Sequence, residues 1–416
     1  MQPAARTTLQ ALATLFGDDY ERRFGVALWD GTRVGPQQPF TLVVRHPGAL
    51  RAALRAPVEL SAGRAFAAGL LECEGNVEAA VDALMLAASS LDAARVVRIW
   101  RLTQRLPAPV LPALREARLQ GFRHSRARDR AAIGFHYDQP LEFYSAFLDP
   151  RLVYSCAYYD DGVESLEDAQ AAKLDHVLRK LRVKPGQRLL DIGCGWGALV
   201  IRAAQRFGAR ALGVTLSQSQ FSEGNRRIAQ AGVDSLARIE LRDYRDLGSE
   251  RFDCIASIGM FEHVGRSRLP EYFACAWKAL QPGGLFLNHG IAAEGRHPRR
   301  RPPSFMERFV FPDGELVRIG EALTIAQDAG FEVRDVENLR EHYARTLRAW
   351  VANLERNRDA AVAAAGEQSY RVWRLYMAGS AQGFRTRRIA IFQSLLGKPR
   401  DDGGVEVPAT RRDLYA

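Results

Sequence analysis

Two rhythms of apolar and polar positions divide the chain. From Lys184 onward, short unbroken apolar runs alternate with stretches at helical spacing. Arg188 to Ile192, Ala211 to Thr215, Ile239 to Leu241, Phe252 to Ile258 and Leu285 to Leu287 read as strands buried on both faces. Leu199 to Phe207, after the first of them, has the spacing of a helix. Strands alternating with helices predict an α/β fold with a doubly wound, mostly parallel sheet. Before Leu114 the rhythm is mixed. Leu9, Leu12 and Phe16 open an amphipathic helix, and the apolar runs Phe24 to Leu28 and Phe40 to Val44 flank Asp30-Gly31, which is hairpin chemistry. Pro47-Gly48 opens a helix with Leu50, Leu54 and Val58 on one face. Gly69 to Gly75 reads as a strand, and Asn76 as the N-cap of an apolar helix to Leu84. Residues 1–114 are thus expected to form a smaller α+β domain. No defensible acid, base or nucleophile arrangement occurs in it, so its expected role is binding or assembly.

Arginines crowd the next stretch (Arg118, Arg123, Arg126, Arg128, Arg130), and 115–130 is expected to be a basic linker or an exposed helix. A second domain is expected over 131–398, with a frayed tail at 399–416. The apolar share, 47%, excludes wholesale disorder. No apolar run reaches the roughly 18–20 residues of a membrane span, and the N-terminus carries no usable signal-peptide cleavage site. Five cysteines (Cys73, Cys156, Cys194, Cys254, Cys275) form no Cys-x-x-Cys pair and fit a reducing cytoplasm. No histidine cluster has metal-ligand spacing, so no metal is expected. The charge of +10 suits an anionic partner: a phosphate ligand, a lipid headgroup surface or nucleic acid.

The first strand of the second domain leads into Asp191-Ile192-Gly193-Cys194-Gly195-Trp196-Gly197. Glycines at a strand-to-helix turn let a ligand approach the backbone. The spacing departs from the dinucleotide fingerprint, and the aspartate before it suits an amino-acid ammonium. That combination points to S-adenosylmethionine rather than NAD. After the second strand, Thr215, Ser217 and Gln220 stand where a dinucleotide fold has an acid for the ribose hydroxyls. After the third, Asp243 suits an adenine amino group and Tyr244 its ring. A nucleotide-binding fold of other specificity is the alternative. Cys194 and Trp196 read as packing residues.

Further segments carry a resemblance. Phe135-His136-Tyr137-Asp138, Tyr154-Ser155-Cys156-Ala157-Tyr158, Gly259-Met260-Phe261-Glu262-His263-Val264-Gly265 and Asn288-His289-Gly290-Ile291 are among them, as are Phe309 to Gly314, Tyr343 with Leu347-Arg348-Ala349-Trp350, and Gly383-Phe384-Arg385. Over 131–397 the chain resembles the cyclopropane-fatty-acyl-phospholipid synthase family, which includes the mycolic-acid cyclopropane synthases. The resemblance implies a class I S-adenosylmethionine-dependent methyltransferase with a Rossmann-like sheet. It implies methyl(ene) transfer to the cis double bond of a phospholipid acyl chain, with Tyr154 among the cofactor residues. It also implies a bicarbonate base held at Cys156, Glu262, His289, Ile291 and Tyr343. A lipid-binding N-terminal domain, a homodimer, and a cytoplasmic protein resting on the inner face of the membrane complete the expectation. The basic stretches Arg118–Arg130 and Arg296–Arg301 are the expected headgroup contacts, with no nucleic acid as partner.

The chemistry is consistent with this. An alkene is a weak nucleophile, and the cation formed on it suits an aromatic face such as Tyr158, Phe261 or Tyr343. Singly, each residue has a plainer reading. Cys156 could be buried packing, Glu262 a helix N-terminal charge, His289 a core histidine and Tyr343 a core aromatic. His263 reads as structural. A methyl- or methylene-branching enzyme and a non-catalytic lipid- or S-adenosylmethionine-binding homologue are the competing readings. Where the family has Gly-Asn, this chain has Gln139-Pro140-Leu141-Glu142, and Pro140 stiffens that loop.

Overall fold

The computed structural model describes residues 1–295 and 303–414; the basic stretch Arg296 to Arg301 lies outside them. Asp30-Gly31 turns the chain early, with Gly31 at φ 85° and Asp30 Oδ1 accepting from the Thr32 amide. The turn joins β1 (Gly25–Leu28) to a two-residue antiparallel β2 (Arg33–Val34). The second apolar run, β3 (Phe40–Val44), lies parallel to β1, so it is not the other arm of the hairpin. β4 (Leu71–Gly75) completes a sheet of order β2-β1-β3-β4. Asn76 caps the helix Val77–Ser89, its Oδ1 accepting from the Ala79 amide. The single helix expected after Gly48 is two, Ala49–Ala53 and Val58–Ala67, because Pro57 takes away a donor and biases Ala56 off helical geometry. Leu50 is buried as expected, whereas Val58 is exposed.

The chain forms two compact units whose boundaries differ from those expected. One holds Met1–Arg118, 303–312 and Trp350–Gln382; the other holds 119–295, Asp313–Ala349 and 383–414. The second domain is therefore not continuous to 398. In the first unit, the Arg374 guanidinium is buried among Glu72, the Cys73 carbonyl and the Gly75 carbonyl, and Arg371 pairs with Glu72 at 2.7 Å. Positions 302 apart in sequence meet there, which local patterning cannot reveal.

In the second unit the strands are β5 (Arg188–Ile192), β6 (Arg210–Thr215), β7 (Ala237–Leu241), β8 (Phe252–Ile258), β9 (Leu280–Ala293), β10 (Glu332–Asn338) and β11 (Ile389–Gly397). Their order is β10-β11-β9-β8-β5-β6-β7, parallel from β9 to β7, with β11 antiparallel to both its neighbours. Neighbouring residues divide between two cores. Leu189, Ala256, Leu287 and Leu395 pack with Leu174, Val177 and Ala203. Leu190, Ile255, Phe286 and Leu396 pack with Tyr272, Phe273 and Phe331. Helices thus cover both faces, as a doubly wound sheet demands. The strand order reverses between β5 and β8, and ligands bind at the carboxyl ends of strands at such a point.

The expected linker and tail are more ordered than their composition suggests. Arg126 starts the helix Arg126–Tyr137 and pairs with Asp246 at 2.8 Å; Arg123 and Arg128 both reach Asp313. Much of that stretch's positive charge is therefore neutralised. The tail does not fray: Val405 and Val407 pack on the β5 core, Arg411 pairs with Asp335 at 2.7 Å, and Leu414 is buried.

Candidate active site

The glycine loop follows directly from β5. Gly193, Gly195 and Gly197 have φ 76°, 54° and 85°, the left-handed region open to glycine. The Gly193 and Cys194 amides both donate to the Val214 carbonyl, which draws the loop against β6. A Cβ at Gly197 would stand 2.8 Å from Ile239 Cδ1, while at Gly195 nothing lies within 4 Å, so the backbone there is open to a ligand. Above the loop an open cleft encloses about 1220 Å³, part of it solvent. Its walls include Tyr154, Ser155, Lys173, Asp191, Trp196, Thr215, Gln220, Tyr244 and His263.

Asp191 is buried and accepts no recorded hydrogen bond among the described residues; burial pushes its carboxyl up to about 7, with the Lys173 charge pulling the other way. Thr215 Oγ1 donates to Gln220 Oε1 at 2.7 Å, and both line the cleft. Ser217 instead caps the helix Gln218–Gln230, its Oγ accepting from the Gln220 amide. Asp243 is gripped by Arg245 through Nε at 2.9 Å and the terminal nitrogen at 2.7 Å, which holds its carboxyl below the ordinary range against the opposing cost of burial. That pairing leaves Asp243 less able to read an adenine amino group than expected, whereas Tyr244 lines the wall.

Of the five remaining residues, Glu262, Ile291, Tyr343 and Cys156 are linked through backbone hydrogen bonds and the pairing of β9 with β11, and His289 lies beside Ile291 on β9. Glu262 Oε1 accepts from the Ile291 amide at 2.6 Å. Ile291 pairs with Ile391 across β9 and β11, and the Ile391 carbonyl accepts from Leu339 N. The Leu339 carbonyl then accepts from the Tyr343 amide at 3.0 Å and from Cys156 Sγ at 3.8 Å. His289 stands two residues before Ile291 on β9, with Gln393 Nε2 3.3 Å from its Nδ1. With that amide as donor, Nδ1 accepts and Nε2 carries the proton of the neutral ring. Burial, then the Lys173 and Lys180 charges, hold His289 well below its ordinary range and so neutral. Burial likewise raises Glu262 to about 7, opposed by its two backbone hydrogen bonds, and raises the Cys156 thiol. Glu262 Oε2 and His289 Nε2 are buried without a partner among the described residues.

Residues 124–394 match the family model described as mycolic acid cyclopropane synthetase. The chain belongs to that family. It is 38% identical to a probable fatty acid methyltransferase of Pseudomonas putida over 93% of this chain and 95% of the relative. It is 36% identical to cyclopropane mycolic acid synthase 1 of Mycobacterium tuberculosis over 63% of this chain and 95% of that protein. The solved cyclopropane synthase MmaA2 of the same organism superposes with a TM-score of 0.61 at 34% identity, covering 65% of this chain and 98% of its own. Another, CmaA1 complexed with SAH and CTAB, has a TM-score of 0.61 at 35% identity, covering 65% and 98%. This cyclopropane synthetase homologue is an S-adenosylmethionine-dependent methyltransferase by family and by fold.

The cleft fits that methyl donor. Among the described residues the Asp191 carboxyl has no hydrogen-bond donor, Trp196 Nε1 is buried without a partner, and nothing covers the Gly195 backbone. Sequence reading missed Lys173 and Ser155, and it set aside Trp196 and His263, all four of which line the wall. Burial alone lowers His263 to about 4. Two aromatic expectations are corrected. Tyr158 has a histidine against each face, His176 at 4.2 Å and His342 at 4.9 Å, and Phe261 packs in the core with Tyr272 and Phe273. Tyr343 packs on Phe384 at 4.7 Å. Pro140 is the N-cap of the helix Leu141–Ser145, where the missing amide costs nothing.

The buried carboxyl sets a pH signature. Glu262 titrates near 7 in the fold against an ordinary 4.5, so folding favours its neutral form. Its contribution is fully favourable below pH about 4.5 and is lost as pH rises through about 7. Glu262→Gln removes that titration. Its stability relative to wild type is expected to rise by up to about 3 kcal/mol between pH 4.5 and 8, measured by urea unfolding. A difference that stays constant with pH would contradict a buried, uncompensated carboxyl.

Proposed function

We propose that the protein closes a cyclopropane ring on the cis double bond of a phospholipid acyl chain, with bicarbonate as the base. One observation carries the reading: Glu262 Oε2, on the short helix Phe261–Val264 that bonds to β9 through the Ile291 amide, and His289 Nε2, on β9 itself, are both buried without partners among the described residues. An isolated pair of that kind is costly unless a small polar guest fills it. Bicarbonate suits both, with its hydroxyl toward Glu262 and an oxygen toward His289. S-adenosylmethionine, when bound, supplies an electrophilic methyl group, and bicarbonate, when bound, supplies a proton acceptor that leaves as carbonic acid. Asp191 and the glycine loop would orient the donor. Glu262 would hold the anion's hydrogen at Oε2, His289 would donate from Nε2, and the Tyr343 hydroxyl would add a third contact. Ile291 acts through its amide, which fixes Glu262; the buried Cys156 thiol packs beneath. Water exclusion strengthens each contact.

A second reading draws on the relatives that match nearly the whole chain. Those of Pseudomonas putida and Mycobacterium tuberculosis, at 38% and 36% identity, are each named probable fatty acid methyltransferase. A methyl- or methylene-branched product fits that name. Product mass separates the two: a gain of 14 units that takes up no hydrogen marks a ring. Wild type with S-adenosylmethionine and unsaturated phospholipid is expected to yield that ring. Glu262→Gln is expected to lose at least a hundredfold in turnover while binding S-adenosylhomocysteine as wild type does. Undiminished turnover would remove the bicarbonate argument, and a hydrogenatable product would favour branching.

The same reading includes a lipid surface as partner, reached without a membrane span. No helix among the described residues is long and apolar enough to cross a membrane. The helix Ala93–Gln104 supports surface contact: Val96, Val97 and Trp100 are exposed together, and Arg98, Arg101 and Arg105 form the adjoining exposed row. Apolar anchors beside arginines suit an anionic headgroup layer, and a homodimer would double the attachment. Sedimentation with phosphatidylglycerol vesicles is expected to fall at least fivefold on Trp100→Ser with Val97→Ser, and to fall with salt. Equal sedimentation of variant and wild type would exclude this helix as the contact.

A further inference from the structure

Lys173 is the cleft cation that no part of the family reading uses. Its side chain is buried on the helix Leu166–Lys180, and its ammonium donates to Ser155 Oγ at 2.9 Å. An ammonium has three N–H groups, so two are left over. The other cations of the wall are engaged: Arg245 by Asp243 and Asp129, Arg242 by Glu240 and Glu250, Arg268 by Glu271. Lys173 forms no ion pair with a described carboxylate. Beside it on the same wall stands Asp191, a carboxylate with no recorded hydrogen-bond donor among the described residues.

A buried ammonium with spare donors and a buried carboxyl with spare acceptors, on one ligand wall, match the two ends of a zwitterion. We propose that Lys173 is the specificity residue for the carboxylate of the donor's amino-acid end, with Asp191 taking the ammonium of the same end. Neither group has a salt bridge among the described residues, and a buried unpaired ion is costly. An α-amino acid supplies both complements at once, and Ser155 holds the lysine on station. Burial lowers Lys173 to about 8, so it is charged at neutral pH.

The inference rests on the methyl-donor assignment, and the test separates the two. Calorimetry on the full chain compares S-adenosylhomocysteine with its decarboxylated analogue, which keeps the adenosine, the thioether and the amine. Wild type is expected to prefer the carboxylated ligand at least tenfold. Lys173→Met is expected to bind both alike, Lys173→Arg to restore part of the preference, and Asp191→Asn to weaken both ligands. A wild type that binds both equally, or a Lys173→Met variant that keeps the full preference, overturns the proposal. A wild type that binds neither ligand overturns the donor assignment itself. A general loss of fold would weaken both ligands together, and the wild-type ratio would still decide.

Discussion

Charge held out of water at the carboxyl ends of an apolar sheet is the constraint on which the molecule depends. The sheet is buried on both faces, so its strand ends are where polar side chains can gather. Asp191, Lys173, Glu262 and His289 are all buried there. In such surroundings an ion is expensive unless a partner or a guest compensates it. Burial keeps His289 neutral, raises both the Glu262 and Asp191 carboxyls to about 7, and lowers the Lys173 ammonium to about 8. These shifts follow from desolvation, and they leave polar atoms that a ligand can satisfy.

The two groups of residues are linked through backbone rather than through side-chain chains. Asp191 ends β5 just before the loop, whose amides bond to β6. Glu262 is fixed by an amide of β9, whose partner β11 bonds in turn to Leu339, and Leu339 anchors both Tyr343 and Cys156. Strand register therefore sets the spacing of the site. A one-residue slip of β11 would turn every contact to the other face. Lys173 is the charge common to both regions, since it acts on Asp191 and on His289.

Much of this was legible in the linear chain because the signals are local. The runs at 188–192 and 252–258 are strands with those bounds, and Asn76 caps its helix. The glycine loop announced its turn through spacing alone. Illegible parts depend on distant meetings. β10 and β11 carry polar residues such as the half-buried Glu337 and the buried Gln393, whose meetings with His176 and His289 no period reveals. Nothing in the helical pattern around Lys173 shows that its ammonium reaches the cleft wall. Arg374 meets Glu72 only through the fold, so the first compact unit draws in Trp350–Gln382, a segment distant in sequence. The hairpin at Asp30-Gly31 was sound, but its second arm was only two residues long, too short to register as an apolar run.

A site built on two unpartnered buried atoms makes one demand on solution conditions. Initial rates of the wild-type protein on unsaturated phospholipid vesicles, in buffer stripped of carbon dioxide and then titrated with bicarbonate, test it most directly. The account predicts a rate that falls at least tenfold on stripping and returns as a saturable function of added bicarbonate. A rate indifferent to bicarbonate across that titration would contradict it.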